Sequence, residues 1–140
     1  MKPFSMTAIP ALAIGIAVAT AVAANPVDLR QETMKTVRQN FAVLGGMATG
    51  QAAYDAAAAM QAQAALAEIT PGVPALFEAE APGGDARPEI WSNWEDFTTK
   101  AEALASATAA LDASSLDSLR AGMGAVGGAC QACHTNYRSD

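Results

Sequence analysis

The stretch Cys130-Gln131-Ala132-Cys133-His134 contains the two cysteines and the single histidine of the chain. C-x-x-C-H is the attachment motif of a c-type haem. Two thiols form thioether bonds with the vinyl groups of the porphyrin, and the adjacent imidazole then binds the iron from one face. The pattern therefore predicts one covalent haem c, bound through Cys130 and Cys133, with His134 as the proximal iron ligand.

Two other kinds of site use a C-x-x-C pair. A structural zinc site needs four nitrogen or sulfur ligands, whereas this chain offers only its two cysteines and one histidine. A thioredoxin-like dithiol lies beside a βαβ pattern, and no strand-like alternation of residues occurs near this motif. We expect no structural disulfide, and a redox dithiol or an accidental match stays as the alternative to haem.

The first residues of the chain have the pattern of a secretory signal peptide. Lys2 supplies a positive start, residues 8–22 form an apolar run, and Ala21-Val22-Ala23 is a small-x-small cleavage site. An uncleaved anchor is the alternative, but the run is short for a membrane span of about 20 apolar residues. We expect residues 1–23 to be removed, by cleavage after Ala23 or Ala24. Export together with a thioether-bound haem indicates the periplasm of a Gram-negative bacterium.

The composition of the mature chain, residues 24–140, restricts its fold and its partners. Loss of Lys2 leaves seven of the eight basic residues against fourteen acidic ones, so the net charge changes from −6 to −7. Such a surface argues against nucleic acid and anionic membrane as partners. Apolar residues make up 51% of the chain, with long alanine runs and few aromatics, which favours closely packed helices over sheets.

Four helices are predicted in one domain. They cover residues 26 to about 49, about 54–69, 88–111, and from Ser114 or Ser115 through the haem motif. Asn25-Pro26 and the serines are good N-terminal caps. The connection between the second and third helices is rich in proline and glycine, and we expect one helical turn in it near residues 75–79.

Apolar residues recur along the first, third and fourth helices at alternating spacings of three and four, which defines an inner stripe on each. In the fourth helix both cysteines continue the stripe, so the haem should lie against the inner face of the bundle. In the first helix the stripe begins at Arg30, which we expect to neutralise a haem propionate. Trp91 and Trp94 are expected in the core. Gly122, Gly124, Gly127 and Gly128 indicate either a close approach to the fourth helix or a locally weak helix.

A bundle with a haem motif in its last helix resembles cytochrome c′, the class II c-type cytochromes. The matching segments extend over nearly the whole mature chain: Arg30-Gln31 and Met34, Gly50-Gln51 and Tyr54-Asp55-Ala56-Ala57, Gly83 to Trp91, and Cys130 to Arg138. The C-terminal position is specific, because class I cytochromes c carry the motif near the N-terminus. The resemblance implies an all-α, antiparallel four-helix bundle, often a homodimer. The alanine-rich second helix then serves either as a subunit contact or only to fill space.

The resemblance also implies a function. Its members usually have a five-coordinate, high-spin iron beneath a crowded apolar pocket, bind nitric oxide and carbon monoxide, and discriminate against dioxygen. They carry electrons to and from periplasmic redox partners or scavenge nitric oxide. A peroxidase, the enzymatic alternative, needs a distal acid-base group, whereas the distal stripe here contains Met34, Val37 and Phe41. We therefore expect no enzyme; a bundle with an empty motif is the third possibility.

Four further pocket residues come from the same resemblance. Met34 matches the position that faces the open side of the haem, and in low-spin relatives a methionine there is the sixth iron ligand. We favour a Met34 that only lines the pocket, because the segment Gly83 to Trp91 is closer to the high-spin proteins; ligation by Met34, which gives an electron carrier, is the alternative. Arg138 is expected near the proximal face, or as a solvated cation at the helix end. Gln31 and Tyr137 complete the predicted pocket.

Overall fold

The computed structural model describes residues 25–139, so the predicted signal peptide lies outside the described residues. The described part contains five α-helices, α1 (Pro26–Thr49), α2 (Ala56–Ile69), α3 (Glu89–Ser92), α4 (Trp94–Ala110) and α5 (Leu116–Tyr137), and two 3₁₀ turns, Thr70–Gly72 and Pro74–Phe77. The helices α1, α2, α4 and α5 form a four-helix bundle in which α1 and α4 each contact α2 and α5. The predicted fold class is confirmed. Within residues 25–139, no helix is long and apolar enough to cross a bilayer.

The ends of the long helices follow from their capping residues. The side chain of Asn25 accepts a 2.9 Å hydrogen bond from the N–H of Val27, and α1 ends at Gly50, whose φ of 77° a residue with a side chain rarely adopts. Asp55 caps α2, which therefore begins slightly later than predicted. Ser115 caps α5 by accepting from the N–H of Ser118.

The prediction of one continuous third helix is wrong. Asn93, with φ −123° and ψ 44°, separates the single turn of α3 from α4. The apolar spacing of three and four continues through the break, so periodicity could not show a change in backbone conformation at one residue. The extra turn fixes Trp91, whose indole N–H donates a 2.8 Å hydrogen bond to the carbonyl oxygen of Phe77.

The buried apolar residues form two hydrophobic clusters within the bundle. The first cluster includes Val37, Leu44, Leu66, Leu104, Leu119 and Val126. The second cluster consists of Val73, Phe77, Ile90, Phe97, Ala101 and Tyr137, with Trp91 and Trp94 packed against it. Most members lie on the predicted stripes, and the two tryptophans are half-buried as part of the core.

The glycines of α5 have different surroundings. A Cβ atom at Gly122 would lie 2.5 Å from Cδ1 of the buried Leu111, and one at Gly127 would lie 3.6 Å from Cζ of Phe41. At Gly124 and Gly128, apart from the adjoining residues and nearby backbone of α5 itself, nothing in residues 25–139 lies within 4 Å of such an atom. The close approach of Leu111 therefore explains the glycine at position 122. At Gly127 a Cβ atom would make an ordinary packing contact with Phe41.

We predict opposite effects for two Gly→Ala substitutions in α5. Gly124→Ala should stabilise the holoprotein by up to about 1 kcal/mol, because alanine favours the helix and meets no neighbour. Gly122→Ala should destabilise it by about 1–2 kcal/mol, because overpacking against Leu111 exceeds the helix-propensity gain. Urea unfolding of the two variants measures both effects, and equal stabilisation would contradict the packing of α5 on Leu111.

Candidate haem site

The three residues of the haem motif lie near the C-terminal end of α5. Cys130 is half-buried and packs against the first cluster, whereas Cys133, also half-buried, packs against the second. Neither cysteine forms a disulfide. The His134 side chain is exposed and follows Cys130 by about one helical turn. The two sulfur atoms therefore face the bundle interior where its two clusters meet.

Burial shifts the pKa values of all three side chains of the motif. Burial raises the pKa of both thiols. Partial desolvation, and then the positive charge of Arg138, lower the pKa of His134. The imidazole is therefore neutral at physiological pH, which is the form that binds a metal ion.

The stripe of α1 supplies the opposite wall. Met34 is half-buried and packs against the second cluster, as Cys133 does. Phe41 packs against the first cluster, as Cys130 does, and its ring lies beside Gly127 of α5. The structure thus places Met34 and Cys133 against the same cluster, and a pocket role for Met34 stays a prediction. Met34 and Phe41 are therefore the α1 side chains that could line a flat apolar group attached to Cys130 and Cys133.

Arg30 is a buried cation without an acidic partner in the described part of the chain. Its side chain is 4% exposed and donates to the carbonyl oxygens of Leu76, Ala79 and Ala81 at 2.7–2.8 Å. Burial lowers its pKa, but a guanidinium group stays charged in proteins. A buried charge is costly without compensation. Three of its five N–H groups are used, so two can still bind an anionic group such as a propionate.

Gln31 lies where the connection crosses the start of α1. Gly83 and Gly84 have φ of 138° and 61°, and a Cβ atom at Gly84 would lie 2.8 Å from Nε2 of Gln31. The same two glycines contact Val27. This turn keeps the Gln31 side chain beside the segment that leads to α3.

The C-terminal residues are held by the same connection. Arg87 donates its backbone N–H to the carbonyl of Tyr137 at 3.0 Å, and Ser139 donates its own to the carbonyl of Asp85 at 2.8 Å. Nε of Arg138 lies 3.6 Å from the Asp85 carboxylate. We call this pairing of residues 85–87 with 137–139 the C-terminal clip. It keeps Arg138 close enough to His134 for its charge to affect the imidazole.

Tyr137 is fixed by packing and by a carboxylate. Its ring is 5% exposed and meets Phe97 edge to face, with ring centroids 5.4 Å apart. Its hydroxyl donates a short hydrogen bond to Asp96, which also pairs with Lys100. Burial, followed by the Asp96 carboxylate, raises the pKa of Tyr137 to about 12. Sequence reasoning missed Asp96 and Asp85; the i,i+4 pair of Asp96 and Lys100 was the one available signal.

Comparison with known proteins identifies the family of the chain. The model of the family described as Cytochrome C′ matches residues 25–138. The chain belongs to the cytochrome c′ family. Cytochrome c′ of Alcaligenes xylosoxydans xylosoxydans is 39% identical over 117 residues, which cover 80% of this chain and 91% of that protein. Cytochrome c-556 of Rhodopseudomonas palustris is 34% identical over 121 residues, covering 80% of this chain and 81% of that protein.

A solved structure gives the same assignment. The nitric oxide complex of a variant of cytochrome c′ from Alcaligenes xylosoxidans superposes with a TM-score of 0.75 at 37% identity, covering 82% of this chain and 94% of that one. The predictions of the family and of one covalent haem c are confirmed. Cys130, Cys133 and His134 form the C-x-x-C-H sequence of this chain and stay the predicted attachment site.

We predict that the two thioether bonds can be removed separately. Cys130→Ala and Cys133→Ala should each retain haem by one bond, and the α band of the pyridine haemochrome should move to longer wavelength because one vinyl group stays conjugated. The double variant should lose its haem in acidified acetone. Gln131→Ala, in an exposed position inside the motif, is the control and should match the parent protein. Retention of haem by the double variant would exclude thioether attachment.

Proposed function

We propose that this protein is a periplasmic haem c protein that binds nitric oxide and carbon monoxide on the α1 side of a five-coordinate iron. The cofactor supplies the iron and its open coordination position. The residues of the chain determine what can bind there. Export as a secreted precursor, with residues 1–23 removed, belongs to the same proposal.

The observation that supports this proposal best is the engagement of the polar donors around Met34. Arg30 donates to three backbone carbonyls, the Trp91 indole donates to Phe77, and the Tyr137 hydroxyl donates to Asp96. Two N–H groups of Arg30 stay available for a propionate, and the side chains grouped with Met34 in the second cluster are apolar. Such a wall accepts nitric oxide and carbon monoxide but offers no hydrogen bond to the more polar dioxygen. A nitric oxide complex is known for a variant of the Alcaligenes relative.

The same wall argues against an enzyme. Peroxide cleavage needs a side chain that can accept and return a proton beside the iron. In the described part of the chain, Met34, Val37 and Phe41 occupy the inner stripe of α1 there. We expect the purified protein to show negligible peroxidase turnover.

The alternative function is electron transfer by a six-coordinate cytochrome with Met34 as the sixth ligand. Its support is the half-buried position of Met34 in the same cluster as Cys133, because a thioether facing the iron binds it in other c-type cytochromes. The relative from Rhodopseudomonas palustris is named cytochrome c-556. In either state, periplasmic redox proteins are the expected electron partners.

A homodimer is the proposed assembly. Leu29 and Val43 on α1 and Met60 on α2 are 47%, 44% and 48% exposed. Leu29 and Val43 lie on the same face of α1, given 3.6 residues per turn. A second copy would cover these exposed apolar side chains and the alanine-rich α2. Nucleic acid and membrane are not expected as partners of the mature, acidic chain.

The optical spectrum of the holoprotein, ferric and then ferrous, before and after carbon monoxide, tests the function. We expect broad high-spin bands and a large shift on adding the gas. Met34→Leu should leave this behaviour unchanged, because Met34 then only lines the pocket. Sharp low-spin bands that ignore carbon monoxide until Met34 is replaced would overturn the proposal and establish the six-coordinate alternative.

A further inference from the structure

Arg30 joins α1 to the connection that closes the Met34 side of the site. We propose that Arg30 is a positioning residue: through the segment 76–81, which we call the strap, it sets the width of the gas-binding pocket. The inference rests on the proposed function, because the pocket is the same one. It gives Arg30 a role separate from the propionate contact that the sequence predicts.

The hydrogen bonds of Arg30 extend along the whole strap. Nε donates to the carbonyl oxygen of Leu76 at 2.8 Å, one terminal nitrogen to Ala79 at 2.7 Å, and the other to Ala81 at 2.8 Å. Beyond the 3₁₀ turn that ends at Phe77, the strap has no regular secondary structure. A charged donor strengthens each bond. One buried side chain therefore holds a segment 46 to 51 residues away in sequence.

Two aromatic rings complete the attachment. The guanidinium carbon lies 4.6 Å from the centre of the Phe77 ring and 5.4 Å from that of Trp91. The Trp91 indole donates to the carbonyl oxygen of Phe77 at 2.8 Å. Arg30 and Trp91 thus hold the backbone on either side of Phe77 while the cation attracts both ring faces.

Phe77 connects the strap to the pocket. Its ring is 7% exposed and meets Phe97 with ring centroids 5.0 Å apart. Met34 and Leu76 pack against the cluster that contains both rings. Because Met34 follows Arg30 by about one turn of α1, the anchor of the strap and the wall of the pocket have a fixed separation. Release of the strap should let Phe77 and Leu76 move away from Met34.

The test compares two strap variants with two controls outside the strap. Arg30→Gln removes the charge and most of the hydrogen bonds, and Trp91→Phe removes one hydrogen bond and keeps an aromatic ring. Arg120→Gln removes another arginine that donates to a backbone carbonyl, that of Ala48. Tyr54→Phe removes another 2.8 Å aromatic donor to a backbone carbonyl, that of Ala113, on the first cluster.

The readouts are the carbon monoxide association rate of the ferrous holoprotein after flash photolysis, and hydrogen exchange of the amides in residues 76–81. For Arg30→Gln we expect association about fivefold faster, the factor that corresponds to about 1 kcal/mol of barrier, with faster exchange in the strap. Trp91→Phe should change both in the same direction by less. The controls should lose stability without a change in either readout.

Each result of these measurements supports or contradicts the proposed role of Arg30. Strap variants that keep the parent association rate would overturn the proposal, and so would controls that change it equally. If Arg30→Gln shifts only the reduction potential, Arg30 acts as a propionate contact and does not set the pocket width. If the Arg30→Gln variant does not fold, Arg30→Lys and Trp91→Phe are measured in its place. If the parent protein binds no carbon monoxide, the proposed function fails separately, and the same variants are measured in a Met34→Leu background.

Discussion

The constraint on which this structure depends is the placement of two cysteines one turn apart on the inner face of α5, where the C-x-x-C-H motif predicts thioether bonds. A macrocycle bonded at both positions has to lie along that face, so the bundle must provide a flat apolar space beside it. In this chain Cys130 packs against the first cluster and Cys133 packs against the second, so both positions have apolar neighbours. Small residues of α5 allow neighbours such as Phe41 to come close where the helices touch.

The parts of the fold that the sequence predicts are those with a local physical cause. Asn25, Gly50 and Ser115 end helices through hydrogen bonds and backbone angles within a few residues, and such signals can be read from sequence. The apolar stripes are equally local, since burial follows helical periodicity. Asn93 shows the limit of prediction from periodicity. The helix breaks there, but the apolar residues on either side keep their spacing of three and four, so the sequence pattern does not reveal the break.

The residues of the candidate site were likewise predictable only where their signal is local in the sequence. Cys130, Cys133 and His134 form a contiguous motif whose chemistry is independent of the fold, so they could be named at once. The hydrogen-bond partners of Arg30 could not be predicted. They are backbone carbonyls, which every residue has, and they lie far from Arg30 in the sequence. Asp85 and Asp96 were missed for a related reason: each pairs with the end of α5 only after the bundle has formed.

The connection between α2 and α4 is therefore more than a linker. Its first part is attached to α1 by Arg30, its glycine turn lies on Val27 and Gln31, and its last part pairs with the end of α5 in the C-terminal clip. One continuous segment thus contacts the helix that supplies Met34 and the helix that supplies His134. The relative position of α1 and α5 therefore depends on hydrogen bonds to this connection as well as on helix packing. A proline- and glycine-rich composition suits that task, since it keeps the segment out of a long helix and leaves backbone carbonyls available to side chains such as Arg30.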